Sequence, residues 1–124
     1  MLTLHLDGRI WLETEAGERF MGIGRMELLQ HIQRTGSISQ AAKAMQMSYK
    51  RAWDLVQSLN QLAGQPLVLT QTGGQRGGGT LLTEAGQTYL LQYEALQVRF
   101  RAFLAQESER LQTELPGVVT SSSL

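Results

Sequence analysis

The chain has no cysteine, so it can build neither a disulfide framework nor a thiolate metal site, which fits a cytoplasmic protein. It also lacks any apolar run near the length of about twenty residues that crosses a bilayer, and membrane insertion is set aside. The first residues, Met1-Leu2-Thr3-Leu4-His5-Leu6-Asp7, show no basic start, apolar stretch and small-residue cleavage site, so no secretory signal is read. Net charge is absent as well: eleven Lys and Arg balance eleven Asp and Glu, which taken alone argues against a polyanionic partner.

The distribution of charge reverses that inference. Between Gly22 and Thr83 stand six basic residues, Arg25, Arg34, Lys43, Lys50, Arg51 and Arg76, against only Glu27 and Asp54, a surplus of +4. The flanks carry the compensating acids, among them Glu13, Glu15, Glu18, Glu107, Glu109 and Glu114. A neutral total conceals a cationic middle segment, the footprint of a nucleic-acid partner. At 124 residues one domain with a real core is expected, not two.

Residues 2 to 13 alternate at strand period around Asp7-Gly8, a dipeptide that tolerates positive φ, and predict a small hairpin whose register stays open. From Arg25 to Arg34, Met26, Leu28, Leu29 and Ile32 recur at helical spacing before Gly36. Ser37-Ile38-Ser39-Gln40 matches a capping box that starts a second helix through Ala41, Ala42, Ala44 and Met45. Gln46-Met47 breaks the pattern, and Ser48 can cap a third helix with a buried stripe of Ala52, Leu55 or Val56, Leu59 and Leu62, ending at Ala63-Gly64-Gln65-Pro66.

Two β-prone runs, Leu67 to Thr70 and Thr80 to Leu82, enclose the stretch from Gln71 to Gly79 and predict a hairpin with a flexible glycine-rich tip. Thr83 can cap a last helix from Glu84 to about Gln112. Its apolar positions, among them Leu90, Leu91, Val98, Phe100, Phe103 and Leu104, exceed what a small core can cover, and a second copy of the chain is the simplest cover. The division expected is 1–21 for the N-terminal hairpin and connection, 22–83 for the helix-turn-helix with its wing, 84–112 for a dimerisation helix and 113–124 for a disordered tail. The fold class is therefore mainly α with small β hairpins.

Two helices joined by a tight turn, the second polar on one face, form the unit that lays a recognition helix in the major groove of double-stranded DNA. Tyr49, Lys50 and Arg51 lie in the first turn of the third helix, with Asp54, Gln57 and Ser58 further along. Lys and Arg suit guanine edges and Gln suits adenine. The same residues would suit a solvated amphipathic face, but the capping box before them and the basic hairpin after them favour DNA. Trp53 fits either the core or contact with sugar and base, and core packing is the expectation. Arg76 could enter the minor groove or hold a phosphate, where glycine amides allow close approach, against the plain alternative of a floppy hairpin tip.

The five glycines between Gly73 and Gly79 also invite a nucleotide-binding loop, but that motif needs a Lys-Ser or Lys-Thr step opening a helix, and Thr80 leads instead into Leu81-Leu82. His5 and His31 have no partner suggesting metal ligation, and Glu13, Glu15 and Glu18 have the look of solvated loop carboxylates. No catalytic set, cofactor site or metal site is expected. A competing reading keeps the fold as a protein-interaction module, on the strength of zero net charge and the apolar last helix.

Gly36 to Lys43, Ser48-Tyr49-Lys50-Arg51-Ala52-Trp53-Asp54 and Asn60-Gln61-Leu62 resemble the N-terminal domain of the ModE family of molybdate-responsive transcription regulators. Thr72 to Gly79 resembles that family's glycine-rich wing, and Leu82-Thr83-Glu84-Ala85-Gly86 resembles the strand-to-helix step of LysR-type DNA-binding domains. The resemblance runs from about Gly22 to about Phe103. It implies a winged helix-turn-helix homodimer, paired through an N-terminal hairpin and a long C-terminal helix, that regulates transcription from a palindromic site. The DNA-contacting set expected is Ser37, Ser39, Gln40, Ser48, Tyr49, Lys50, Arg51, Asp54, Arg76 and Gly77. Family regulators carry C-terminal oxyanion-binding domains, and here the sequence stops soon after the long helix. The resemblance then leaves open a stand-alone regulator, a separate effector-binding subunit, or a piece of a longer product, and no molybdate binding by these residues is expected.

Overall fold

A computed structural model describes residues 1–71 and 79–119. The elements run β1 (Leu12–Glu13), β2 (Arg19–Met21), α1 (Ile23–Thr35), α2 (Ile38–Ala44), α3 (Tyr49–Ala63), β3 (Val68–Gln71), β4 (Gly79–Leu82) and α4 (Glu84–Glu114). Among the described residues the fold is mainly α with two small antiparallel hairpins, β1-β2 and β3-β4, which is the fold class the sequence predicts. Two compact units form, one from Trp11–Glu94 and one from Met1–Ile10 with Ala95–Leu124, and α4 contributes residues to both.

In the larger unit each helix starts and stops where local chemistry dictates. The Ser37 hydroxyl accepts from the Gln40 amide at 3.1 Å and starts α2; the Ser48 hydroxyl accepts from the Arg51 amide at 3.1 Å and starts α3. Only half of the expected capping box forms. The Ser37 N–H donates to Thr35 Oγ1 (3.3 Å), so the Gln40 side chain is left on the surface. Gly36 ends α1 at φ 70°, a left-handed conformation that glycine adopts without steric cost, and its N–H returns to Ile32 O. The helices close on Leu28, Leu29, Ile32, Ala52, Val56 and Leu59, all at most 1% exposed. The predicted stripe on α3 resolves in favour of Val56, while Leu55 and Leu62 are half-buried.

Gln46, between α2 and α3, takes φ 55° with a side chain in solvent. A left-handed conformation costs an L-residue roughly 1 kcal/mol or more, part of which glycine gives back as unfolded-chain entropy. Gln46→Gly is expected to raise stability by about 0.5 kcal/mol. Urea unfolding checks this, and a lowered midpoint would mean that the glutamine side chain holds the turn.

The β3-β4 hairpin is tied to the helices at its base. Thr80 N donates to Gly36 O at 2.9 Å, and Thr83 N donates to Leu67 O at 2.9 Å. Asn60 on α3 clasps the start of β3: Oδ1 accepts from Leu67 N (2.8 Å) and Val68 N (3.1 Å), and Nδ2 donates to Val68 O (3.0 Å). Thr83 Oγ1 accepts from Gly86 N at 2.9 Å and opens α4 as expected. Within this unit Phe20 meets Tyr89 edge-on at 5.4 Å, and Leu90 and Tyr93 are buried.

The N-terminal hairpin is not centred on Asp7-Gly8. The turn lies at Thr14 to Gly17, where Gly17 takes φ 85°, Gly17 N donates to Thr14 O (2.9 Å) and Thr14 N donates to Glu18 O (2.8 Å). Asp7 instead accepts from the Gly8 amide at 2.8 Å and faces Arg101 at 3.8 Å. In the smaller unit residues before Ile10 lie along the second half of α4: Leu6 N donates to Ser108 Oγ (2.7 Å), and Gln112 Nε2 donates to Leu4 O (2.9 Å). Tertiary hydrogen bonds to a helix replaced the strand partner that alternation suggested. Of the tail, residues 113–119 depart from expectation, since α4 runs to Glu114, Leu2 bridges Val118 in parallel and Val119 N donates to Leu2 O at 2.9 Å, while residues 120–124 lie outside the described residues. Among the described residues no helix is long and apolar enough to cross a membrane.

Candidate nucleic-acid interface

Burying Ala52, Val56 and Leu59 on one side of α3 leaves Tyr49, Lys50, Trp53, Asp54 and Gln57 exposed on the other. Trp53 is not a core residue. It is 37% exposed and stacks on Tyr49, itself 54% exposed, with ring centroids 6.4 Å apart and planes 20° from parallel. The backbone phase of α3 explains this, because position 53 lies one residue past Ala52 and four past Tyr49, on the outward face. Two adjacent aromatic faces in solvent can cover sugars, bases or thymine methyl groups.

Lys50 Nζ meets Asp54 Oδ2 at 2.9 Å, one helical turn on, with side chains 84% and 58% exposed. Such an exposed pair contributes only about 0.3–0.5 kcal/mol and yields to competing charges. Arg51 has no such partner among the described residues, so it is the uncompensated cation at the start of α3. Ser37 and Ser48 spend their hydroxyls on helix caps, while Ser39 and Gln40 are exposed on α2. The structure thus gathers Ser48, Tyr49, Lys50, Arg51 and Asp54 on the first turns of one helix. Arg76 and Gly77 lie outside the described residues.

Two arginines that carry no motif in the sequence belong to the same region. Arg25, on α1, donates from Nη1 to Phe20 O (3.2 Å) and to Ser58 Oγ on α3 (3.1 Å). Burial lowers its proton affinity below the ordinary arginine value, and the charges of Arg19 and Arg51 lower it further. Arg19, on β2, places its guanidinium 4.4 Å from the Trp11 ring centre. Arg19 and Arg25 bracket the short run Gly22-Ile23-Gly24, which is the one feature of the sequence that could have drawn attention to them. An open recess of about 410 Å³ is lined by Arg25, Ser48, Lys50, Arg51, Asp54, Leu55 and Ser58. A wider one of about 870 Å³ in the smaller unit mixes Asp7, Arg101 and Glu109 and has no charge of one sign.

Residues 23–87 match the family model of the bacterial regulatory helix-turn-helix protein, LysR family. The chain is 43% identical over 103 residues to the molybdenum transport protein ModE of Azotobacter vinelandii, covering 83% of this chain and 38% of that protein. It is 40% identical over 104 residues to the DNA-binding transcriptional dual regulator ModE of Escherichia coli K12, covering 83% and 36%. The chain therefore spans little more than a third of the length of these curated relatives. Among solved structures, full-length LysG of Corynebacterium glutamicum superposes with a TM-score of 0.55 at 25% identity, over 72% of this chain and 29% of that one. The CbnR DNA-binding domain, solved in complex with DNA, superposes with a TM-score of 0.56 at 21% identity, over 73% and 99%, and shares the fold.

Proposed function

Since the chain belongs to the LysR family of bacterial regulatory helix-turn-helix proteins, we propose that it is a DNA-binding transcriptional regulator of the ModE type, acting without catalysis. The observation that supports this best is the outward face of α3. A serine-capped helix, set against α2 by a tight turn, offers Tyr49, Lys50, Arg51, Trp53 and Asp54 to solvent on its first two turns. In this reading residues 22–83 engage the duplex, Ser37, Ser39 and Gln40 approach the backbone, and Arg76 and Gly77 extend the contact from the β3-β4 hairpin. Lys50 leaves Asp54 for a base edge or phosphate.

The partner copy would cover the apolar surface of the smaller unit, where Val98 is 69% and Phe103 51% exposed. A homodimer presents two copies of α3 about 34 Å apart, which calls for palindromic half-sites one helical turn from each other. The protein would act as a stand-alone regulator or take its signal from an effector site on a separate subunit or in the rest of a longer product, and the setting is cytoplasmic.

Selection of bound duplexes from a random pool tests the proposal. Affinity for the selected palindrome should fall steeply with salt, and a single half-site should bind more weakly. Arg51→Ala should lose about tenfold, the scale of one base or phosphate contact. A chain that binds no duplex at any salt concentration would end this reading.

A further inference from the structure

Beside the first turn of α3 lies a second open recess, of about 250 Å³, lined by Arg19, Gly22, Ile23, Gly24, Arg25, Met47, Arg51 and Leu55. It brings together guanidinium groups from three separate elements, β2, α1 and α3. Among the described residues none of the three forms an ion pair with a carboxylate. Convergence of like charges at a partly desolvated place is unfavourable, and Arg25's lowered proton affinity registers that cost. Folds tolerate such clusters where an anion completes them.

Two of the three groups are also held before any ligand arrives. Arg25 Nη1 is fixed by Phe20 O and Ser58 Oγ, and no other hydrogen bond of its guanidinium occurs among the described residues. Arg19 rests on the Trp11 ring, which in turn is oriented by its indole N–H donating to Glu13 Oε1 at 2.7 Å. Planar guanidiniums held in place lose little freedom on gripping a tetrahedral oxyanion through paired N–H bonds. A Cβ on Gly24 would meet nothing within 4 Å, so the mouth of the recess is open on that side.

We infer that Arg19, Arg25 and Arg51 form a binding site for a tetrahedral oxyanion, filled by a phosphodiester of the DNA backbone when a duplex lies on α3. The choice of source rests on the functional reading above. Arg25, Arg51 and Leu55 line both this recess and the neighbouring one that holds Ser48 and Lys50, so backbone flanking the groove entered by α3 passes over it. The contact carries charge and no base identity.

The test uses Arg19→Gln, since Arg19 is exposed and its guanidinium has no hydrogen-bond partner among the described residues, with thermal melting to verify that the variant folds like the parent. Duplex affinity is measured against salt for the selected palindrome and for an unrelated sequence. The expected result is an equal loss on both duplexes and a salt slope shallower by about 0.9, the value of one phosphate contact. A methylphosphonate placed at the contacted position should weaken the parent and leave Arg19→Gln unaffected.

In parallel, inorganic phosphate is titrated into the free protein and followed by the Trp11 indole N–H resonance, with chloride as control. A phosphate shift present in the parent and absent from Arg19→Gln supports the oxyanion site. If duplex binding and its salt slope are the same in both proteins, the inference is overturned and the functional reading stands. A phosphate shift identical in both proteins also overturns it. If no duplex binds but the Arg19-dependent phosphate shift is seen, the site stands with a free anion as its source and the functional reading falls. Silence in both arms removes both.

Discussion

Gly86→Ala should destabilise this protein more than the same substitution at any other glycine among the described residues. A Cβ at residue 86 would lie 2.1 Å from Leu67 O, a distance no carbon tolerates, and 3.0 Å from Leu67 C, itself a tight contact. Helix propensity alone would favour alanine by about 1 kcal/mol, so a stabilised variant would be the expectation if α4 stood by itself. Packing decides otherwise. Leu67 is fully buried, and its carbonyl also accepts from Thr83 N, so neither its backbone nor the first turn of α4 can retreat without breaking the bond that joins β3 to α4. A loss of about 3 kcal/mol, the upper range for overpacking, is expected from urea unfolding. That is a large part of the roughly 5–15 kcal/mol that holds a domain together. An unchanged or higher midpoint would mean that the helix and the strand are not in contact at this point.

Asn60→Ala should cost nearly as much by a different route. One side chain serves three backbone groups, and truncation leaves the amides of Leu67 and Val68 and the carbonyl of Val68 without their partner. Each buried orphan costs about 1–3 kcal/mol, moderated where water enters, so a total of about 3 kcal/mol is expected. Asn60→Asp should recover only part of it, because a carboxylate accepts from the two amides but has nothing to donate to Val68 O. Amide hydrogen exchange separates this from general destabilisation: the Leu67 and Val68 amides should lose protection ahead of the α1 core. Uniform loss across the larger unit would contradict a local clasp. Because Asn60 stands on α3, its removal also frees the base of the β3-β4 hairpin from that helix.

Much of the helical framework was legible because it follows from short-range rules. Ser37, Ser48 and Thr83 each accept an amide three residues on, and Gly36 closes α1 with a left-handed backbone, so these boundaries need no tertiary information. The N-terminus shows the limit of that approach. Alternation from residue 2 to 13 fits a strand, yet Leu4 and Leu6 bond to side chains more than a hundred residues away, which no local pattern encodes. Trp53 departs from the expected core position for a related reason. Its hydrophobicity argued for burial, whereas helical phase puts it with Tyr49 on the outer face. Arg19 was hidden by arithmetic along the chain: it sits among the flanking acids in sequence, but the turn at Thr14 to Gly17 carries it back to Arg25 and Arg51.

Under the function proposed above, the pairing of Lys50 with Asp54 would bear on discrimination between one stretch of genome and another. On an arbitrary sequence the lysine exchanges one anion for another, with little net advantage, while the aspartate is pushed toward a polyanion that repels it. Only a base pair that offers the carboxylate a donor, such as the cytosine amino group, relieves that aversion. On that proposal, a helix that is half self-neutralised would linger less on the vast excess of wrong addresses, and the search for the right one would be correspondingly less cluttered.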